Sequence, residues 1–120
     1  MSFKIKSFAT IRISATNVTE SKNWYQSLFG QNPIEEIENF VSFKINNVCF
    51  DISLADSKSP FSPGGSVGYW LVDNIDELLK HIEEIGGKIY RGPLRVNEIQ
   101  RIIVQIQDPF GNVIGFEAPF

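Results

Sequence analysis

IQDPFGNVIGFEA, residues 106–118, decides the fold. Ile106 closes an extended apolar run. Asp108-Pro109-Phe110-Gly111-Asn112 then brings together a carboxylate that can accept from its own backbone, a ring-fixed φ and a glycine free to take positive φ. From Val113 to Phe116 the chain resumes an extended apolar pattern. The predicted local structure is a strand, a tight turn and a returning strand.

Working outward, the strand-turn-strand unit ends the second of two similar halves. In the first half, Phe8 to Ala15 alternate, with Ala9, Ile11, Ile13 and Ala15 on one face and Phe8, Thr10, Arg12 and Ser14 on the other. Period two predicts a strand with one apolar face. Asn17 stands at an N-cap position with Glu20 three residues on. Val18, Ser21, Trp24, Tyr25 and Leu28 follow at helical spacing up to Gly30, a natural stop. Three short strands are predicted near Ile34 to Ile37, Phe40 to Ile45 and Val48 to Leu54, with Asn46-Asn47 as the clearest turn. The order is βαβββ.

The stretch ADSKSPFSPGG, from Ala55 to Gly65, reads as a linker. Beyond it the order repeats. Val67 to Val72 is a predicted strand, and Asn74-Ile75-Asp76-Glu77 is a second cap with an acidic residue three places on. Ile75, Leu78, Leu79, Ile82 and Ile85 form an apolar helical stripe stopped by Gly86-Gly87. Lys88 to Tyr90, Ile99 to Gln107 and Asn112 to Ala118 complete the strands, with Arg91-Gly92-Pro93 read as an irregular connection. Laying Asn17 on Asn74 and Asp51 on Gly115 matches the halves element for element, which points to a duplication. The expected organisation is one domain over residues 1–120, with module 1 at about 6–55, a linker at 56–65 and module 2 at about 66–118.

Composition narrows the partners. A chain of 120 residues, 42% hydrophobic and 21% charged, suits one soluble globular core shared by two half-modules. The net charge of −3, with Lys and Arg scattered, provides no phosphate-tracking stripe and argues against nucleic acid. It mildly favours cationic or neutral ligands. No apolar run approaches the roughly 20 residues of a membrane span. Cys49 has no second cysteine to pair with, and no leader-like pattern precedes the fold. A cytoplasmic protein without a membrane partner is the expectation.

Asp108-Pro109-Phe110-Gly111-Asn112 followed by a short apolar strand resembles the C-terminal signature of the vicinal oxygen chelate superfamily, which holds glyoxalase I, extradiol dioxygenases and bleomycin-resistance proteins. The likeness extends over roughly Phe8 to Pro119. It implies an α+β fold of two tandem βαβββ modules forming an open, cup-like mixed sheet with helices outside. By strand parity Ala9, Ile11, Ile13, Phe50, Ile52, Trp70, Val72, Val104, Ile106, Ile114 and Phe116 face the helices. Thr10, Arg12, Ser14, Ser42, Cys49, Asp51, Val67, Tyr69, Arg101, Ile103, Gln105, Gly115 and Glu117 line the other face.

In metal-dependent relatives four lining positions hold the ion, and counting from the caps and the turn puts them at Thr10, Asp51, Val67 and Gly115. Of these only Asp51 is a ligand type, and the only imidazole in the chain, His81, falls on the polar side of the second helix. The expectation is therefore no metal and no cofactor. The resemblance is closest to the metal-free bleomycin-resistance branch, which implies sequestration of a small molecule in the cup by Thr10, Arg12, Phe40, Asp51, Tyr69, Arg101, Gln105 and Glu117. It also implies a homodimer, since an open sheet leaves edges for a second copy. The alternative is a glyoxalase-, lyase- or isomerase-like enzyme using Asp51 and Glu117 for proton transfer, with Arg12 or Arg101 steadying an oxyanion and an atypical metal or none. Against that stands a simpler role for Arg12 as the ion-pair partner of Asp51 or Glu117.

Overall fold

The computed structural model describes residues 2–62 and 66–120. Its chain divides into two compact units, Met1–Pro60 and Phe61–Phe120.

In the first unit the order is β1 (Thr10–Ala15), α1 (Val18–Phe29), β2 (Glu35–Ile37), β3 (Phe40–Ile45) and β4 (Val48–Leu54). The sheet runs β1-β4-β3-β2, with β1 parallel to β4 and the other pairs antiparallel. Helix α1 starts where the sequence places it: Asn17 is extended and its Oδ1 accepts from the Glu20 amide at 3.0 Å. It stops at Gly30, whose φ of 67° lets its amide reach the Gln26 carbonyl. The helix packs against β3 and β4. Between them Tyr25, Phe29, Phe43 and Phe50 form a run of ring contacts at centroid distances of 4.8–5.9 Å. Such pairs add about 0.5–1.5 kcal/mol each beyond their buried area.

The second unit holds β5 (Tyr69–Leu71), α2 (Ile75–Glu84), β6 (Lys88–Val96), a 3-10 turn (Asn97–Ile99), β7 (Arg101–Gln107) and β8 (Val113–Pro119). Its sheet, β5-β8-β7-β6, repeats the first: β5 is parallel to β8 and the rest antiparallel. Asn74 caps α2 through the Glu77 amide at 3.0 Å, and Gly86, at φ 87°, turns the chain so that the Gly87 amide returns to the Ile82 carbonyl. Helix α2 packs against β6 and β8. Val104, Ile106, Ile114 and Phe116, all of one parity, are buried.

The α+β class and the two βαβββ repeats agree with the sequence. Several boundaries do not: Ile99 falls in the 3-10 turn and β7 begins only at Arg101, and three further differences bear on the site. Phe8 and Ala9 alternate correctly yet lie before β1, because pairing to β4 begins at Thr10 opposite Cys49. The predicted strand from Val67 to Val72 shrinks to Tyr69–Leu71, the stretch that finds a partner in β8. Arg91-Gly92-Pro93 is not a connection at all: it lies inside β6, where register shifts between Ile89 and Arg91 and between Arg91 and Leu94 absorb it. Proline is tolerated there because β6 is the sheet's edge. Of the predicted linker, residues 56–62 carry no helix or strand, and residues 63–65 lie outside the described residues.

Candidate functional site

Cross-strand register reveals a row of four residues in each unit. In the first, Arg12 stands opposite Asp51, Asp51 opposite Ser42, and Ser42 opposite Glu35. In the second, Tyr69 stands opposite Gly115, Gly115 opposite Gln105, and Gln105 opposite Arg91. The rows are equivalent strand by strand. They confirm that Asp51 and Gly115 correspond, as do Arg12 and Tyr69.

The first row is closed on itself. Asp51 is only 6% exposed, so its carboxylate has left water and requires partners. Ser42 Oγ donates to its Oδ1 at 2.6 Å, and Arg12 Nη2 donates to its Oδ2 at 3.1 Å. Arg12 itself keeps 60% of its side chain in solvent and extends to within 5.6 Å of the Phe40 ring centroid. The arginine thus pairs with Asp51, the simpler of its two expected roles.

The second row is open. Gly115 has no side chain, and the ring of Tyr69 lies in the space that one would take: a Cβ on Gly115 would sit 2.5 Å from the ring. Lying flat across the glycine carries the Tyr69 hydroxyl to Gln105, whose Nε2 donates to it at 2.8 Å. One row along the sheet, Leu71 faces Glu117, Glu117 faces Ile103 and Ile103 faces Leu94. A cavity of about 250 Å³ opens here, lined by Tyr69, Gln105, Arg91, Leu94, Ile103 and the backbone of Gly92. Gly92 is needed at that wall, since at φ 90° a Cβ would press on the Ile103 carbonyl at 3.1 Å.

The remaining expected site residues fall as follows. Thr10 is exposed at the start of β1, opposite Cys49, with Val67 half-buried ahead of β5. Arg101 and Glu117 approach each other at 4.0 Å, each about one-third exposed. His81 lies in α2. Among loop and terminal aromatics, Phe61 packs on Gly111 and Phe120 lies under Arg95 at 3.7 Å. Arg91, Leu94 and Ile103 complete the cavity, and of these Arg91 and Leu94 were hidden from the sequence because residues 91–93 read as a connection. A glycine-proline pair taken as an edge-strand bulge would have set Arg91 opposite Gln105.

The donors at the metal positions do not suit a transition ion. Thr10 supplies a neutral hydroxyl, Val67 and Gly115 no side-chain donor, and both oxygens of Asp51 are engaged. Within each unit, among the described residues, no three His, Cys, Asp or Glu side chains gather as a metal site requires.

Two βαβββ repeats, each presenting a polar row on the sheet face opposite its helix, define a duplicated chelate-type scaffold. Residues 7–116 match the sequence profile of the Glyoxalase/Bleomycin resistance protein/Dioxygenase superfamily, to which the chain belongs. Solved structures agree in fold. A glyoxalase/bleomycin resistance protein/dioxygenase family enzyme from Burkholderia phytofirmans PsJN is similar with a TM-score of 0.80 at 17% identity, over 93% of this chain and 98% of that one. A glyoxalase/bleomycin resistance protein from Albidiferax ferrireducens T118 gives 0.76 at 18%, over 92% and 98%. A glyoxalase-related enzyme from Fulvimarina pelagi gives 0.76 at 16%, over 95% and 88%. At these identities the likeness speaks for the fold alone. No curated protein matches the chain.

Proposed function

We propose that this chain is a metal-independent small-molecule-binding protein that sequesters its ligand on the polar sheet face. The observation that carries this is the Tyr69 ring over Gly115: at one of the four positions that the resemblance assigns to metal ligands, this chain has an aromatic recognition surface with a hydroxyl at its tip. Asp51 and Glu117, the two candidate proton-transfer groups, are each held by an arginine, Arg12 and Arg101. Arg12 and Phe40 in the first unit, and Tyr69 and Gln105 in the second, offer hydrogen bonds and ring faces without any need for bond chemistry. Thr10 extends the polar face of the first unit, and Arg101 and Glu117 that of the second.

The test combines metal analysis of the purified protein with thermal shifts against divalent ions and a panel of small organic compounds. Stabilisation by organic compounds in metal-free buffer, lost in Tyr69→Ala, is expected. Stoichiometric bound metal that falls in Asp51→Ala would overturn the proposal.

We also propose a cytoplasmic homodimer. No helix among the described residues is long and apolar enough to cross a membrane. The edge strand β6 exposes Ile89 and Tyr90, a surface that a second copy would cover. Light scattering giving twice the chain mass, reduced by Tyr90→Glu, is the expected outcome.

A further inference from the structure

The two equivalent rows differ in where their negative charge comes from. In the first unit the cation, Arg12, finds its carboxylate inside the row, at Asp51. In the second unit the position of Asp51 is Gly115, that of Arg12 is Tyr69, and the row's cation, Arg91, stands where the first row has Glu35 and forms no ion pair with any carboxylate among the described residues.

From this we infer that the cavity of the second unit takes a small organic carboxylate, with the ligand supplying the anion that Gly115 omits. The inference rests on the binding role proposed above and names its ligand class. Two donors converge on the cavity. Gln105 Nε2 already occupies an acceptor site of the Tyr69 oxygen, so the phenolic hydrogen is left to donate outward. Arg91 stands one strand beyond Gln105 and presents a planar fork matched to a carboxylate. The next row supplies the apolar floor: Leu94 and Ile103 face each other across β6 and β7. An anionic head and an apolar or aromatic body therefore fit together. The cavity, about 250 Å³, is at the small end for ligand sites, which suits a small compound. Glu117 lies beside this floor and would repel an anion, but Arg101 stands 4.0 Å from it and offsets its charge. The net charge of −3 favours cations only at long range, where salt screens it; the local donors decide the bound state.

Benzoate, benzamide and benzylammonium share a ring and differ in head group, so their affinities for the full chain, measured by calorimetry or chemical-shift titration, isolate the charge. Benzoate is expected to bind at least about tenfold more tightly than either, the scale of a charge-assisted hydrogen bond. Arg91→Gln should remove that preference, Arg91→Lys should restore part of it, and Tyr69→Phe should weaken benzoate severalfold. Arg91 and Tyr69 are both exposed, so these variants are expected to fold. Equal binding of benzoate and benzamide, no benzoate binding, or an unchanged preference in Arg91→Gln each overturns the inference. If the neutral or cationic probe binds instead, and Tyr69→Ala abolishes it, the binding role survives while the carboxylate assignment fails. If no organic probe binds and the protein carries stoichiometric metal, both fall.

Discussion

Gly115 and Asp51 occupy the same place in the two repeats, and each constrains its neighbours in a way that a single substitution exposes. Gly115→Ala puts a methyl group 2.5 Å from the Tyr69 ring, against its inner atoms rather than its tip, so the side chain must swing away at χ1 and release Gln105. A loss of about 1–3 kcal/mol, the usual cost of overpacking, is expected from urea unfolding. The clash should vanish when the ring is gone, so a double-mutant cycle with Tyr69→Ala should show favourable coupling between the two substitutions. At Asp51 the hydroxyl partner matters more than the cationic one. Asp51→Ala leaves the buried Ser42 Oγ without its 2.6 Å acceptor and should cost about 2 kcal/mol. Arg12→Ala, on a side chain 60% exposed, should cost less than about 1 kcal/mol. Because Asp51→Ala removes both contacts, Ser42→Ala is the single loss to set against Arg12→Ala, and a lower denaturant midpoint for Arg12→Ala than for Ser42→Ala would mean that the ion pair, not the hydroxyl, holds Asp51.

At the scale of elements, the parts legible in the sequence are those fixed by local chemistry. Asn17 and Asn74 announce their helices because each side chain satisfies an amide three residues on, with no help from distant residues. Asn17→Ala and Asn74→Ala should each lower stability by about 1 kcal/mol in thermal unfolding. The turn was equally plain: Asp108 Oδ1 accepts from the Phe110 and Asn112 amides at 2.9 and 2.8 Å, and Gly111 takes a φ of 101°. Gly111→Ala strains that backbone and should cost about 1–3 kcal/mol. What was not legible depends on partners far away in the chain. Phe8 and Ala9 have strand-like alternation but precede the paired stretch of β1, while Gly92-Pro93 looks like a break but is tolerated at a sheet edge. The left-handed Gln100, at φ 53°, has no local signal either. Because Gly92-Pro93 reads as a break, Arg91 falls outside any strand predicted from sequence and half of the cavity is not legible there, although Tyr69 and Gln105 are legible from parity alone.

Across the whole molecule, one duplicated framework carries two different rows, and this gives a direct test of their equivalence. The first unit reads Arg12, Asp51, Ser42; the second reads Tyr69, Gly115, Gln105 in the same strands. If the frameworks are interchangeable, Gly115→Asp combined with Tyr69→Arg should rebuild the closed row of the first unit inside the second. Gly115→Asp alone places a charge at a buried position and drives it into the Tyr69 ring, so a loss of about 3 kcal/mol or more is expected. Adding Tyr69→Arg removes the ring and supplies the counter-charge, while Gln105, in the place of Ser42, can turn its amide to donate to the introduced carboxylate. More than half of the lost stability should return in urea titration. The same double substitution should abolish benzoate binding, because the anion site is then filled from within. If the double variant is no more stable than Gly115→Asp, the two rows share a register but not a geometry, and the role assigned to the open row would have to rest on Tyr69, Gln105 and Arg91 alone.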